Sequence, residues 1–121
     1  AANLESDPDM SLEKQASIRK KPLRAPLILV SISSHKEHPK VPSIEQDLSA
    51  AAATQNMLIA AHAQGIGAMW RTGSMAYHPA VIAGLGLSER ETIIGFLYLG
   101  TNTGPKRAIL EPDINAFFRE W

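Results

Sequence analysis

Two unbroken runs of apolar residues predict the main β-strands of the chain. They are LILVSIS, residues 27–33, and TIIGFLYLG, residues 92–100, and both are rich in branched or aromatic side chains. Continuous apolar runs of this length are typical of strands that are covered on both faces. The pattern therefore predicts a sheet enclosed between other layers, with the direction of its strands left open.

The longest predicted helix lies between these strands and runs from Ser43 to about Gln64. Ser43 and Gln46 have the spacing of a reciprocal helix cap, and Gly65 supplies the left-handed residue common just after a helix end. The rest of the helix is dense in alanine, which lets a second helix approach closely, either within this subunit or from another. One seam is expected to face the core, with His62 packed and hydrogen-bonded: Ile44, Leu48, Ala51, Gln55, Leu58 and His62.

Shorter elements complete the predicted architecture. A helix is expected from Asp9 to Lys21, where Pro22 ends it, and Pro79 opens a brief helix that closes near Gly84. Residues 66–71 form a short extended segment. The pattern predicts a single layered domain over residues 1–121, of the α+β or α/β class. Three aromatic residues of the tail are too apolar for a free terminus and should be buried here or on a neighbouring subunit: Phe117, Phe118 and Trp121.

Composition and charge restrict the function more than they define it. The chain has 121 residues, with 12 lysines and arginines balanced by 12 aspartates and glutamates, so no net charge steers it towards nucleic acid. It has no cysteine, and no apolar run approaches the length of about 20 residues that a membrane helix needs. We therefore expect a cytoplasmic protein with no nucleic-acid or membrane partner. The basic cluster at residues 19–24 could contact phosphates, but we favour its interpretation as a solvated helix end, where cations suit the carbonyl-rich terminus.

Common catalytic and ligand motifs are absent or incomplete. GIGAMW lacks the third glycine of a dinucleotide fingerprint and closes a helix instead of opening one. GTNTGPK is too short for a phosphate loop, no G-x-S-x-G motif occurs, and His35 and His38 lack further metal ligands at a familiar spacing. Without acid–base or covalent groups of its own, the chain could still act as an enzyme if a cofactor carries the reaction.

The stretch AAHAQGIGAMWRTG, residues 61–74, offers suitable parts for holding a flavin. Its glycines let backbone N–H groups approach a planar ring, and an arginine and a threonine follow directly. The alternative is that Trp70 belongs to the core and Arg71 to an ion pair, and spacing alone favours this alternative.

Two longer blocks change that balance. HPKVPSIEQDLSAAAATQNMLIAAHAQGIGAMWRTG and GLGLSERETIIGFLYLGT closely resemble the nitroreductase family of FMN-dependent NAD(P)H oxidoreductases, and within it the small YdjA-type branch. The resemblance implies an α+β fold, a central sheet flanked by helices with a long central helix, and a homodimer with FMN at the subunit interface. It also implies a ping-pong reaction, in which hydride passes from NAD(P)H to FMN and then to a nitroaromatic, a quinone or a similar small-molecule acceptor.

The resemblance assigns roles to residues on both sides of the glycines. Trp70, Arg71 and Thr72 match the triplet that contacts FMN, and Gly73 keeps the backbone accessible where an N–H group faces flavin N5. The C-terminal tail would cross the dimer. The helix end before the triplet matches the segment associated with the nicotinamide cofactor: Ala61, His62, Ala63, Gln64, Gly65 and Ile66.

One departure from the family pattern leaves alternatives open. Relatives begin with an arginine-rich stretch that grips the FMN phosphate, and nothing in residues 1–23 corresponds to it. We therefore expect the N-terminal part of the domain to be missing, with Lys106 and Arg107 as loose candidates for phosphate contacts. The chain could be an inactive fragment of such an enzyme, a flavoprotein of different chemistry, such as reductive dehalogenation or flavin destruction, or a cofactor-free helical dimerisation module.

Overall fold

Three strands form one antiparallel sheet in this computed structural model, which describes residues 11–105, 108 and 110–121. Strand β3 (Glu91–Gly100) lies at the centre, between β1 (Leu27–Ser34) and β2 (Gly67–Arg71). The two apolar runs are thus confirmed as strands, and the short extended segment after the glycines is the third strand. Because every pairing in this sheet is antiparallel, the fold belongs to the α+β class.

The strand register decides which side chains share a face of the sheet. Leu97, which is fully buried, lies opposite Leu29 on one side and Trp70 on the other. Phe96, the preceding residue, lies opposite Arg71. Successive side chains of a strand point to opposite faces, so Trp70 and Arg71 belong to different faces of the sheet.

The long helix, α2 (Ser43–Ala63), covers one face of this sheet. Its Thr54 is fully buried, and the Thr54 hydroxyl donates to the carbonyl oxygen of Ala50 at 2.8 Å. The Ser31 hydroxyl of β1 lies 2.5 Å from Thr54 Oγ1, and it is the donor because the hydrogen of Thr54 is already engaged. This pair joins the helix to the sheet.

The predicted core seam of α2 is wrong in part. Ala51 and Leu58 do lie on the partly buried side, but Ile44 and Leu48 are 60% and 62% exposed, and Gln55 and His62 are also exposed. The side that faces the sheet is built largely from small residues, because they let the helix backbone approach the strands closely. This side consists of Asp47, Ala50, Ala51, Thr54, Leu58 and Ala61.

The predicted cap at the start of α2 is also wrong. Pro42 precedes the first helical residue, and no side chain caps the helix. Gln46 instead binds the preceding loop: its Oε1 accepts from the Lys36 N–H at 2.9 Å, and its Nε2 donates to the carbonyl oxygens of Lys36 and Val41. Gln46 thus fixes the loop after β1 against the helix.

The shorter helices agree with the sequence prediction. Helix α1 (Leu12–Lys20) passes into a 3-10 turn (Lys21–Arg24) that contains Pro22. Helix α3 (Pro79–Gly84) starts at the predicted proline, and His78 Nδ1 accepts from the Ala80 N–H at 3.2 Å. The start that was predicted for α1 at Asp9 lies outside the described residues.

The aromatic tail is exposed in this single chain. Phe117, Phe118 and Trp121 all keep most of their surface open to solvent. Of the two burial sites expected for them, a site on this subunit is therefore not found. Within residues 11–105, 108 and 110–121, no helix is long and apolar enough to cross a membrane.

Candidate functional site

The chain reverses its direction sharply at the end of α2 and then enters β2. The Gly65 N–H donates to the carbonyl oxygen of His62, and the Ile66 N–H donates to that of Ala61, both at 2.9 Å. This double hydrogen bond ends a helix when the intervening residue is left-handed, and Gly65 has a φ of 72°. The prediction that Gly65 ends the helix in a left-handed conformation is thus confirmed, and its place in the nicotinamide segment stays a prediction.

Trp70 places its side chain on the face of the sheet that α2 covers, the face that also carries Leu97. Its Nε1–H donates to the carbonyl oxygen of Ile94 at 3.3 Å, and the ring lies over Gly95, where a Cβ would be 2.5 Å from Trp70 Cδ1. The alternative interpretation of Trp70 as a packed residue therefore describes its side chain. Its predicted contact with FMN stays a prediction, and in this arrangement the Trp70 main chain is nearer than its ring to the face where Arg71 lies.

Arg71 has a different environment. Its side chain is exposed, and its Nη1 lies 3.8 Å from Met69 Sδ. No described residue places a carboxylate within 4.0 Å of its guanidinium. The ion pair that was the alternative for Arg71 is therefore not formed within this part of the chain, and the cation can interact with a ligand.

The bend after β2 presents main-chain donors. Gly73 has φ 80° and ψ −172°, a conformation that is essentially restricted to glycine. Its carbonyl oxygen accepts from the Ala76 N–H at 3.1 Å, which starts the 3-10 turn Ser74–Tyr77. Within the described residues, the N–H groups of Thr72, Gly73 and Ser74 donate to no acceptor. Three successive donors are thus free for a ligand.

These residues line a cavity of about 420 Å³, which we call the bend cavity. Arg71, Thr72, Gly73 and Ser74 form its polar rim. The remaining wall is mainly apolar and comes from the strands, α1 with its following turn, and the region around α3: Ile18, Lys21, Pro22, Ile28, Met75, Val81, Leu85, Phe96 and Tyr98.

A second, larger cleft of about 660 Å³ adjoins the first, and we call it the Arg24 cleft. Arg71 and Tyr98 line both cavities. His62 and Ile66, from the segment predicted to bind the nicotinamide cofactor, lie in the Arg24 cleft. Ala61 is buried on the side of α2 that faces the sheet, and Ala63, Gln64 and Gly65 line neither cavity.

Sequence reasoning missed several residues of these cavities. Phe96 and Tyr98 lie in an apolar run, and their position beside Arg71 follows from a strand register that the sequence does not reveal. Arg24 was interpreted as part of a solvated basic cluster, but it lines the larger cleft. Lys106 and Arg107 lie outside the described residues.

A separate polar cluster joins the loop after β1 to α2. His35 Nε2 lies 2.6 Å from Asp47 Oδ1, and this hydrogen bond is the main reason why the pKa of Asp47 is lowered. A hydrogen bond with the Ser33 side chain also lowers that pKa, whereas burial raises it. His38 Nδ1 accepts from the Lys40 N–H at 3.2 Å. No group of three metal-ligating side chains occurs in the described part of the chain, and we assign this cluster a structural role.

Comparisons with known proteins agree with this architecture. The family model described as "Nitroreductase family" matches residues 2–101. YdjA of Escherichia coli K12, which is named provisionally as an NAD(P)H nitroreductase, is 46% identical over 83 residues, covering 69% of this chain and 45% of YdjA. A Haemophilus influenzae protein with the same provisional name is 32% identical over 96 residues, covering 77% of this chain and 51% of that protein.

A solved structure supports the fold. The crystal structure of a nitroreductase-like family protein from Bacillus cereus superposes with a TM-score of 0.74 at 21% identity, covering 93% of this chain and 62% of that chain. At this identity the likeness concerns the fold alone. The chain spans about half the length of the curated relatives it matches.

Proposed function

Because the chain belongs to the nitroreductase family, we propose that it carries the flavin-binding bend of an FMN-dependent NAD(P)H oxidoreductase. Bound FMN would accept a hydride from NAD(P)H and deliver it to a nitroaromatic, a quinone or a similar acceptor. The observation that carries the proposal is the bend cavity, where three main-chain donors and a guanidinium with no carboxylate partner among the described residues border an apolar wall.

The residues of the bend cavity fit an isoalloxazine ring. Such a ring is flat and largely apolar, with nitrogen and carbonyl acceptors along its edges. Phe96 and Tyr98 supply aromatic surface, and a volume of about 420 Å³ lies within the range of ligand pockets, about 300–1,000 Å³. The N–H groups of residues 72–74 supply donors for the acceptor edge.

Each residue of the rim has a distinct contribution. Arg71 places positive charge beside the cavity, where it favours a ligand that carries or acquires negative charge. Gly73 lacks a Cβ and has no heavy atom within 4 Å of the position that a Cβ would take, so a ligand can approach the backbone closely. The Thr72 hydroxyl adds a group that can donate or accept. Together these groups would orient the ring and form hydrogen bonds with the acceptors along its edge.

The same arrangement supports a neighbouring position for NAD(P)H. His62 and Ile66 line the Arg24 cleft, which meets the bend cavity at Arg71 and Tyr98. A nicotinamide cofactor in this cleft would lie next to a flavin in the bend cavity, as direct hydride transfer requires.

We also propose that the protein acts as a homodimer. The outward side of α2 exposes Ile44, Leu48 and Ile59, although these are large apolar side chains. The aromatic residues at 117, 118 and 121 are exposed as well. Exposed apolar surface of this extent is typical of an interaction site, and a second copy of the chain offers the same surface in return. This exposed helix face also favours the second candidate function, a cofactor-free dimerisation module.

A flavin titration separates the two candidates. Purified protein is titrated with FMN while flavin fluorescence and the visible absorbance band are followed, and NADPH oxidation is then assayed with a quinone. We expect saturable binding that Arg71→Gln weakens about tenfold, because a charge-assisted contact is lost. Arg90→Gln, which removes an exposed arginine outside both cavities, is the matched control. A dimer that binds no FMN would support the dimerisation module instead.

A further inference from the structure

We propose that the Arg24 cleft binds the phosphate groups of the nicotinamide dinucleotide and makes the protein select NADPH over NADH. This inference rests on the proposed oxidoreductase function and specifies the co-substrate of that site. It starts from the charge of the cleft, where Arg24 of the basic cluster at residues 19–24 lies among residues that are distant in sequence.

The described lining of the cleft carries cationic side chains and no acidic one. Arg24, Arg71 and His62 line it, and none of its 14 lining residues is acidic. Neither guanidinium has a carboxylate within 4.0 Å in the part of the chain that the structure describes. Two cations that line one cleft and have no carboxylate partner among the described residues favour ligands with more than one negative charge, and guanidinium groups match phosphate oxygens in geometry.

Neutral polar groups extend the cationic lining. The Thr101 hydroxyl and the Asn102 side chain lie at the end of β3, beside the start of β2. Asn102 Oδ1 accepts from the Gly104 N–H at 3.2 Å, which leaves the Asn102 amide nitrogen as a donor. Phosphate oxygens accept from such donors, so these two residues complement the charges.

Two glycines bring these groups together. A Cβ on Gly67 would lie 3.0 Å from the Gly100 carbonyl oxygen and 3.3 Å from Asn102 Cβ. A Cβ on Gly100 would lie 2.8 Å from Pro26 Cδ, in the segment that follows Arg24. Side chains at either position would push the walls of the cleft apart. The close approach of Asn102 and the Arg24 segment therefore depends on both glycines.

The openness of the cleft favours the dinucleotide over the phosphate of FMN. Apart from Tyr98, which is half-buried, its polar side chains are exposed, including those of Arg24, His62 and Asn102. A flavin that stays bound through many turnovers is best retained by enclosed contacts, whereas NAD(P)H enters and leaves in every ping-pong cycle. NADPH differs from NADH by one phosphate monoester. Because Arg71 is assigned to the flavin, Arg24, which has no carboxylate partner among the described residues, is left to discriminate this additional charge.

The test measures nucleotide binding without activity. Isothermal titration calorimetry gives the affinities of the wild type, Arg24→Gln and Arg24→Lys for NADP⁺ and NAD⁺. We expect the wild type to prefer NADP⁺, Arg24→Gln to weaken NADP⁺ binding about tenfold more than NAD⁺ binding, and Arg24→Lys to retain part of the preference. Arg90→Gln should match the wild type. Asn102→Ala, which leaves both cations in place, should give a smaller loss than Arg24→Gln.

A separate titration distinguishes the two phosphate sources. FMN and riboflavin are compared on the same variants, with thermal unfolding as a check on folding. If Arg24→Gln abolishes the preference for FMN over riboflavin and leaves NADP⁺ binding intact, the cleft serves the flavin phosphate and the inference is wrong. Equal wild-type affinities for NADP⁺ and NAD⁺, or no binding of either, would also overturn it. Failure of the wild type to bind FMN would instead contradict the proposed function.

Discussion

Gly73→Ala tests whether the bend after β2 is built to present its main-chain donors. At φ 80° and ψ −172°, Gly73 lies in a region that is essentially closed to residues with a Cβ. No heavy atom lies within 4 Å of the added methyl group, so the effect comes from backbone strain and not from a clash. The strain amounts to about 1–3 kcal/mol, and at about 4 °C per kcal/mol the Tm should fall by about 4–12 °C.

The chain can relieve this strain by rotating the bend, which would turn the N–H groups of residues 72–74 away from the bend cavity. We therefore expect FMN affinity to fall about tenfold, equivalent to about 1.4 kcal/mol of lost hydrogen bonding. Thermal unfolding and FMN fluorescence titration measure the two effects on the same samples.

Gly86→Ala is the matched control for this variant. Gly86 has a φ of 70°, its Cβ would also meet no heavy atom within 4 Å, and it lines neither cavity. A left-handed alanine costs about 1–2 kcal/mol, so Gly86→Ala should lower the Tm and leave FMN affinity unchanged. The reasoning is refuted if Gly73→Ala binds FMN as the wild type does, or if both variants lose affinity equally.

Three further predictions concern the packing around the site. Gly95→Ala should destabilise the protein by about 2–4 kcal/mol in chemical denaturation, because the new Cβ displaces the Trp70 ring and breaks its hydrogen bond; a loss below about 0.5 kcal/mol would contradict this packing. Thr54→Val should cost about 1–3 kcal/mol by leaving the Ser31 hydroxyl unpaired, and adding Ser31→Ala should restore part of the loss; strict additivity would argue against the pair. The Asp47 pKa is lowered from its usual 3.8, so its contribution to stability is present above that pH and is lost as the pH falls through the lower folded value. Asp47→Asn should therefore be less stable than the wild type near neutral pH and approach it in strong acid, whereas a pH-independent difference would contradict the ionic contribution.

Local patterns in the sequence predicted the elements of the fold well. The two apolar runs are strands, as their branched and aromatic residues favour, but β1 is only partly covered, with Leu27 and Leu29 51% and 39% exposed. Gly65 ends α2 in the left-handed conformation. The face of α2 was harder to predict. Both of its sides carry apolar residues, and hydrophobicity does not distinguish the side that packs on a sheet from a side open to another partner. Small residues such as Ala50 and Ala61 face the sheet because they let the helix backbone approach the strands closely.

The candidate site depends on contacts that are distant in sequence. Arg71 meets Phe96 through strand pairing, and Arg24 reaches the same region from the turn before β1. A motif can indicate residues 70–73, but it does not indicate which aromatic wall they face or which second cation joins them. The family resemblance supplied the cofactor hypothesis, and the roles of the individual site residues stay predictions.

Amide chemical shifts test most directly the claim that a flavin lies beside the bend. In ¹⁵N-labelled protein titrated with FMN, ¹H–¹⁵N correlation spectra also detect weak binding. We predict the largest shift changes at Thr72, Gly73 and Ser74, with little change at Gly86 and at His38 in the loop after β1. Changes that spare residues 72–74, or that concentrate in the loop after β1, would contradict the assignment of the bend cavity to the flavin.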